Sequence, residues 1–129
     1  MKKLFSFVLV ACMTMLAMTF TSCEKKASEA DYPIVGHTFE ATDAGGTARL
    51  VFHSNFTVTQ STSLGASAVF NWDMKGTNVE LLLRQPINFL GTQLNAGDVI
   101  YRGTYDATLK TLSLRDVIVG DLAVYEQVQ

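Results

Sequence analysis

The chain has 129 residues, 48% of them hydrophobic and 17% charged, with Lys+Arg 10 against Asp+Glu 12 and a formal net charge of -2. That balance excludes a nucleic-acid-binding domain, which needs a basic face. The length allows one small domain, and Cys 2 is too few for the disulfide framework of a stapled secreted scaffold.

Lys2 and Lys3 form a short basic start, and residues 4–20 are an uncharged, mostly apolar run of about 17 residues, the layout of a secretory signal. An uncleaved membrane anchor is the competing reading, since roughly 17 to 25 apolar residues can span a bilayer; the basic start and the cysteine that follows favour the signal. Phe20-Thr21-Ser22-Cys23 resembles a bacterial lipobox, in which a small residue precedes a cysteine that is acylated and becomes the first mature residue. The resemblance implies removal of residues 1–22, a membrane partnership through acyl chains on Cys23, and an outer-membrane destination, because Glu24 stands where an inner-membrane protein of this kind carries aspartate. Cleavage before the earlier cysteine, Cys12, would leave too short an apolar core, so Cys12 reads as a small apolar residue of the signal. Loss of Lys2 and Lys3 lowers Lys+Arg from 10 to eight against Asp+Glu 12, a mature net charge near -4.

Residues 23–31 are polar and aperiodic and are expected to be a flexible tether. Residues 32–129 form the domain. From Gly36 on, apolar residues alternate with period two and turn residues punctuate the chain at short intervals, the pattern of an all-β fold. The first strand, 36–42, places His37, Phe39 and Ala41 on one face; the second, 48–53, places Ala48, Leu50 and Phe52 on one face, with a Gly-containing turn between them. Asn55 is expected to take the left-handed position of the next turn, leading into 56–59 with Phe56 and Val58 on the same side. The strongest hairpin follows: Ala68, Phe70, Trp72 and Met74 alternate inward, residues 75–78 turn, and Val79, Leu81 and Leu83 alternate back. Residues 85–98 break the rhythm. Val99, Tyr101, Gly103 and Tyr105 then share a face, Leu112 and Leu114 mark another strand, and 122–128 is the last. About eight strands with short connections predict a small antiparallel up-and-down barrel.

Taken together, residues 34–39, 50–55, 72–83 and 101–114, the last containing Tyr101-Arg102-Gly103-Thr104-Tyr105-Asp106 before Leu112-Ser113-Leu114, resemble the small lipocalin-like β-barrel lipoproteins of Gram-negative bacteria. Phe39 stands where that family carries Trp, and Phe56 where it carries Gly after the second turn. The resemblance implies the lipocalin-like barrel fold; the role is read from the residues themselves.

The residues agree with a non-enzymatic reading. His37 and His53 are expected on different strands, with no Cys, His or carboxylate at ligand spacing, so neither a metal nor another cofactor is expected. No nucleophile, phosphate-loop or paired-carboxylate motif is present. Asp43, Asp73, Asp98, Asp106 and Asp121 fall at expected turns or strand ends. Trp72, on an inward position, is expected in the core. An eight-stranded barrel has room inside for side chains or one small ligand, and Phe39, Leu50, Phe52, Phe70, Trp72, Met74, Leu81 and Leu83 should fill it. Binding is then expected at a rim near residues 85–98, where Phe89, Leu90 and Leu94 plug one end or cover a shallow site, with Tyr101 and Arg102 as further candidates. The function expected is a cell-envelope binding or accessory lipoprotein for a small apolar ligand, a glycan or another envelope protein. The alternative is an envelope-presented inhibitor of an enzyme. An enzyme would need a pocket that sets His37 beside a carboxylate.

Overall fold

The computed structural model describes residues 26–129 apart from 44 and 90; the signal residues, Cys12, Cys23 and Leu90 lie outside the described residues. Ten strands run through them: β1 (Thr38–Asp43), β2 (Gly46–Phe52), β3 (Thr57–Thr62), β4 (Ser67–Lys75), β5 (Asn78–Leu82), β6 (Ile87–Phe89), β7 (Thr92–Leu94), β8 (Val99–Asp106), β9 (Thr111–Asp116) and β10 (Leu122–Gln127). Eight close into an antiparallel barrel in the order β1-β10-β9-β8-β5-β4-β3-β2, and β6 pairs with β7 outside it. The all-β up-and-down barrel read from the alternation is therefore the fold.

Meandering connections place the β1–β2, β3–β4, β5–β8 and β9–β10 links at one end, here the hairpin end, because the third link carries β6 and β7. The chain start and the β2–β3, β4–β5 and β8–β9 turns lie at the other, the closed end. Alternation then stacks the inward side chains in three layers. Phe39, Phe52, Val58, Trp72, Val79, Tyr105 and Leu112 form the closed-end layer, and Leu50, Phe70, Leu81, Tyr101 and Leu114 lead the middle one; all are buried. Edge-to-face ring pairs, Phe39 with Phe52 at 5.7 Å and with Tyr105 at 5.6 Å, and Phe70 with Tyr101 at 5.9 Å, lock these layers. Phe39, Leu50, Phe52, Phe70, Trp72, Met74, Leu81 and Leu83 are all buried, as their alternation requires.

Residues preceding β1 close this end further. Ile34 and Val35 are buried, and Gly36 N–H donates to the Phe52 carbonyl at 2.8 Å. Within the expected tether, Ala27 is buried and its N–H donates to the Ser54 carbonyl at 2.6 Å, so residues 27–31 lie against the barrel.

Three local expectations are corrected. Both histidines flank strands rather than lying in them: His37 precedes β1 and His53 follows β2. Phe56, not Asn55, takes the left-handed backbone, at φ 65°. Asn55 instead uses its carboxamide oxygen to accept from the Thr57 N–H at 3.2 Å and hydroxyl at 2.6 Å, and the Phe56 ring lies against Trp72 outside β3. Finally, β5 and β8 shift register between Leu81 and Leu82, so Tyr101 opposes Leu81 while Val99 opposes Leu82. Ile100 is the additional residue of that bulge and is fully buried. Gly103 answers a close approach of β8 and β9, since a Cβ there would run into the Ser113 carbonyl.

Candidate functional site

The hairpin-end layer of the interior differs in kind from the other two. By alternation it is lined by Asp43 on β1, Ala48 on β2, Thr62 on β3, Ala68 on β4, Asp116 on β9 and Ala123 on β10, while Leu83, just past β5, and Ile100 in the β8 bulge are the large apolar side chains buried at this end. Beneath it Gln60 and Tyr125 reach toward each other from β3 and β10, with the Gln60 amide donating to the Tyr125 hydroxyl at a long 3.5 Å. Short side chains replace the rings found at the closed end.

Asp43 Oδ2, Gln60 Oε1, Thr62 Oγ1 and Asp116 Oδ2 are buried with no hydrogen-bond partner among the described residues. Gln60 and Asp116 are each 1% exposed. A buried, unpaired acceptor costs about 1 to 3 kcal/mol, so a cluster of them calls for donors from elsewhere, from water or a ligand. Each carboxylate is otherwise used locally: Asp43 Oδ1 accepts from Gly45 N–H at 2.8 Å, and Asp116 Oδ1 from Ile118 N–H at 2.7 Å.

Titration follows the same environment. Burial pushes the Tyr125 phenol up to about 12, with the Gln60 hydrogen bond opposing and the Asp43 charge adding to the rise. Burial also raises the Asp116 carboxyl, against the lowering effect of the Ile118 and Val119 N–H groups and with a further push from Asp121.

The β6–β7 excursion leaves the barrel at this end. Its neck is tied by Leu83 N–H to the Asp98 carbonyl at 2.9 Å and Gly97 N–H to the Leu83 carbonyl at 2.8 Å. Register Ile87↔Leu94, Asn88↔Gln93 and Phe89↔Thr92 makes it a hairpin. Phe89 is 2% exposed and joins the core, while Ile87 and Leu94 are half-buried against it.

The residues singled out from sequence therefore do not form one site. Phe89 is buried in the core, Leu94 is half-buried against it, Tyr101 lies in the middle layer of the interior, and Arg102 is on the outer wall, 3.1 Å from Glu80. Arg102 and Glu80 help to line an open, polar cleft of about 340 Å³ with Asp73, Lys75 and Asn78. A second outer cleft, of about 390 Å³, follows the seam where β1 and β10 part beyond Glu40 and Glu126. Gln60 and Tyr125 were missed, although a Gln two residues after Val58 on an inward alternation is a legible signal. Asp116, two residues after Leu114, carries the same signal.

At the closed end His37 does meet a carboxylate, its Nε2 lying 3.2 Å from Glu29 Oε2. Its Nδ1 lies 3.0 Å from the Gln129 carbonyl and 3.3 Å from Gln127 Nε2, so the ring ties the two ends of the domain together. No group of three or more His, Cys, Asp or Glu that could hold a metal occurs among the described residues.

Comparison with family models, with curated proteins and with solved structures finds no match. The functional reading rests on the geometry.

Proposed function

We propose that this chain is a non-catalytic binding module of the cell envelope, exported and anchored through acylated Cys23, whose barrel holds a small ligand at the hairpin end. The observation that carries the reading is the inequality of the barrel's layers. Rings fill one end, whereas the other pairs alanines with buried, unpartnered oxygens under a hairpin. Such a site is apolar in its walls with a few convergent polar groups, the usual make-up of a small-molecule pocket. Because Asp43 Oδ2, Gln60 Oε1 and Asp116 Oδ2 are acceptors and Thr62 Oγ1 is a hydroxyl, the ligand is a compact, largely apolar molecule bearing N–H or O–H donors. The β6–β7 hairpin is its lid, and binding requires Phe89 to move.

A thermal-shift screen of small envelope molecules on the mature protein tests this. A donor-bearing ligand should raise the melting temperature of the wild type but not that of Ala68→Leu, whose larger side chain would occupy the layer beside Gln60, the cross-strand partner of residue 68. Ala68→Leu should itself fold with little loss. If it instead cost the 1 to 3 kcal/mol or so typical of overpacking and no small molecule stabilised the wild type, the layer would be packed solid and the reading would fail.

A further inference from the structure

Ala27 and the β6–β7 hairpin lie at opposite ends of the barrel, and few residues separate Ala27 from Cys23 in the sequence. Ala27 is fixed at the closed end, its N–H on the Ser54 carbonyl at 2.6 Å. Ser28 and Asp31 then form a turn in which Tyr32 N–H donates back to the Ser28 carbonyl at 2.8 Å. Tyr32 packs edge-on against Phe56 at 5.2 Å and Trp72 at 5.5 Å. Cys23 precedes Ala27 by four residues, and four extended residues span at most about 14 Å. Strands of six or so residues, tilted as in a barrel, set the hairpin end roughly 15 to 20 Å beyond the closed end.

We infer that the closed end of the barrel is a membrane-facing surface that rests on the lipid headgroups, and that the β6–β7 lid points away from the bilayer. The surface suits a lipid partner. In the β8–β9 turn Leu109 is 70% exposed, next to Lys110, and Lys75 and Lys26 lie at the same end. Lysines are drawn to an anionic headgroup layer, and an exposed Leu adds apolar contact at the interface. Of the acids at this end, Asp106 turns one carboxylate oxygen to the Thr108 and Leu109 N–H groups, Asp31 accepts from the Ser28 hydroxyl at 3.2 Å, and Glu29 faces His37. The competing apolar surface is at the hairpin end and along β10, where Leu64 is 70%, Leu122 45%, Val124 44%, Val117 42% and Val119 41% exposed; a four-residue reach from the closed end decides for the end-on arrangement.

This inference rests on the acylation of Cys23, and the experiment separates the two. With Cys23 acylated and Cys12 removed with the signal, no free thiol remains, so single variants Thr108→Cys at the closed end and Leu64→Cys and Val119→Cys at the hairpin end each accept one fluorophore. The full chain is expressed with its own signal, its mass is measured, and the labelled protein is reconstituted in phosphatidylethanolamine–phosphatidylglycerol vesicles carrying a headgroup nitroxide lipid. The expected result is a diacylglyceryl mass on Cys23, loss of emission at residue 108, and retained emission at 64 and 119. Acylated protein whose labels at 64 or 119 are quenched as fully as that at 108 overturns the orientation alone. A mature protein without acyl mass overturns the anchor, and the orientation with it.

Discussion

Gln60 and Tyr125 meet across the barrel interior, the Gln60 amide 3.5 Å from the Tyr125 hydroxyl, from strands that are not neighbours in the sheet. The contact leaves Gln60 Oε1 unpaired, so it is poorly explained by stability alone. Replacing both members of a buried hydrogen-bonded pair with apolar groups of similar shape is often nearly neutral, whereas removing one leaves the other unsatisfied. The double variant Gln60→Leu/Tyr125→Phe is therefore expected to stay within about 1 kcal/mol of the wild type, above Gln60→Leu alone, and both are expected to lose ligand binding. Chemical denaturation and the thermal-shift response measure the two effects separately.

The Tyr125 phenol should ionise near 12 in a spectrophotometric titration. Burial is the main cause and the Asp43 charge a secondary one, so Asp43→Asn should bring the transition down while leaving it above the ordinary tyrosine range. A Tyr125 that titrates with the exposed phenols would place it in water and remove it from the site.

Asp116 supplies a pH dependence of definite sign. Its native carboxyl is raised, chiefly by burial, so the folded state holds its proton to higher pH than the unfolded chain does. Between the ordinary carboxylate range and the raised native value the native state binds more protons, and stability contributed by this group falls as pH rises through that window. Asp116→Asn keeps an oxygen for the Ile118 and Val119 N–H groups and should flatten the dependence, with stability at neutral pH equal to or above wild type. Asp116→Ala, which leaves those donors unpaired, should cost about 1 to 3 kcal/mol. Denaturation midpoints measured across acidic pH distinguish the three proteins.

Phe56 and Trp72 give a test at the closed end. The Phe56 backbone is left-handed at φ 65°, a conformation that costs a non-glycine residue roughly 1 to 2 kcal/mol, yet its ring lies 5.0 Å from that of Trp72. Phe56→Gly removes both the strain and the ring, whereas Phe56→Ala removes only the ring. The alanine variant should be the less stable of the two, by about 1 kcal/mol. Trp72→Ala, which also leaves the His53 carbonyl without its indole donor at 3.1 Å, should cost about 3 to 5 kcal/mol.

Alternation made most of the barrel legible in the sequence, because a strand with one face buried repeats its apolar side every second residue. The β4–β5 hairpin, with Ala68 to Met74 answered by Val79 and Leu81, is the clearest case. Where alternation fails, the reason is local. Ile100 sits in a bulge that adds one residue to β8, so period two is broken by an apolar residue that is nonetheless fully buried. Strands β6 and β7 have three residues each, too few to show a period. Phe56 takes the left-handed position through ring packing with Tyr32 and Trp72, which are distant in sequence, whereas turn chemistry favours Asn55. The site was the least legible part. Its walls are alanines and its polar groups are ordinary Gln, Thr, Asp and Tyr on inward positions, and only closure of the barrel brings β3 and β10 face to face.

Entry of a small molecule into the hairpin-end layer is tested by heteronuclear NMR of the isotope-labelled mature domain, titrated with small-molecule fractions of the cell envelope. Shifts are expected at Ala48, Gln60, Thr62, Ala68, Phe89, Asp116 and Tyr125 and not elsewhere, with the Gln60 side-chain amide among the largest. Shifts confined to the outer wall around Glu80 and Arg102, or none with any fraction, would contradict it.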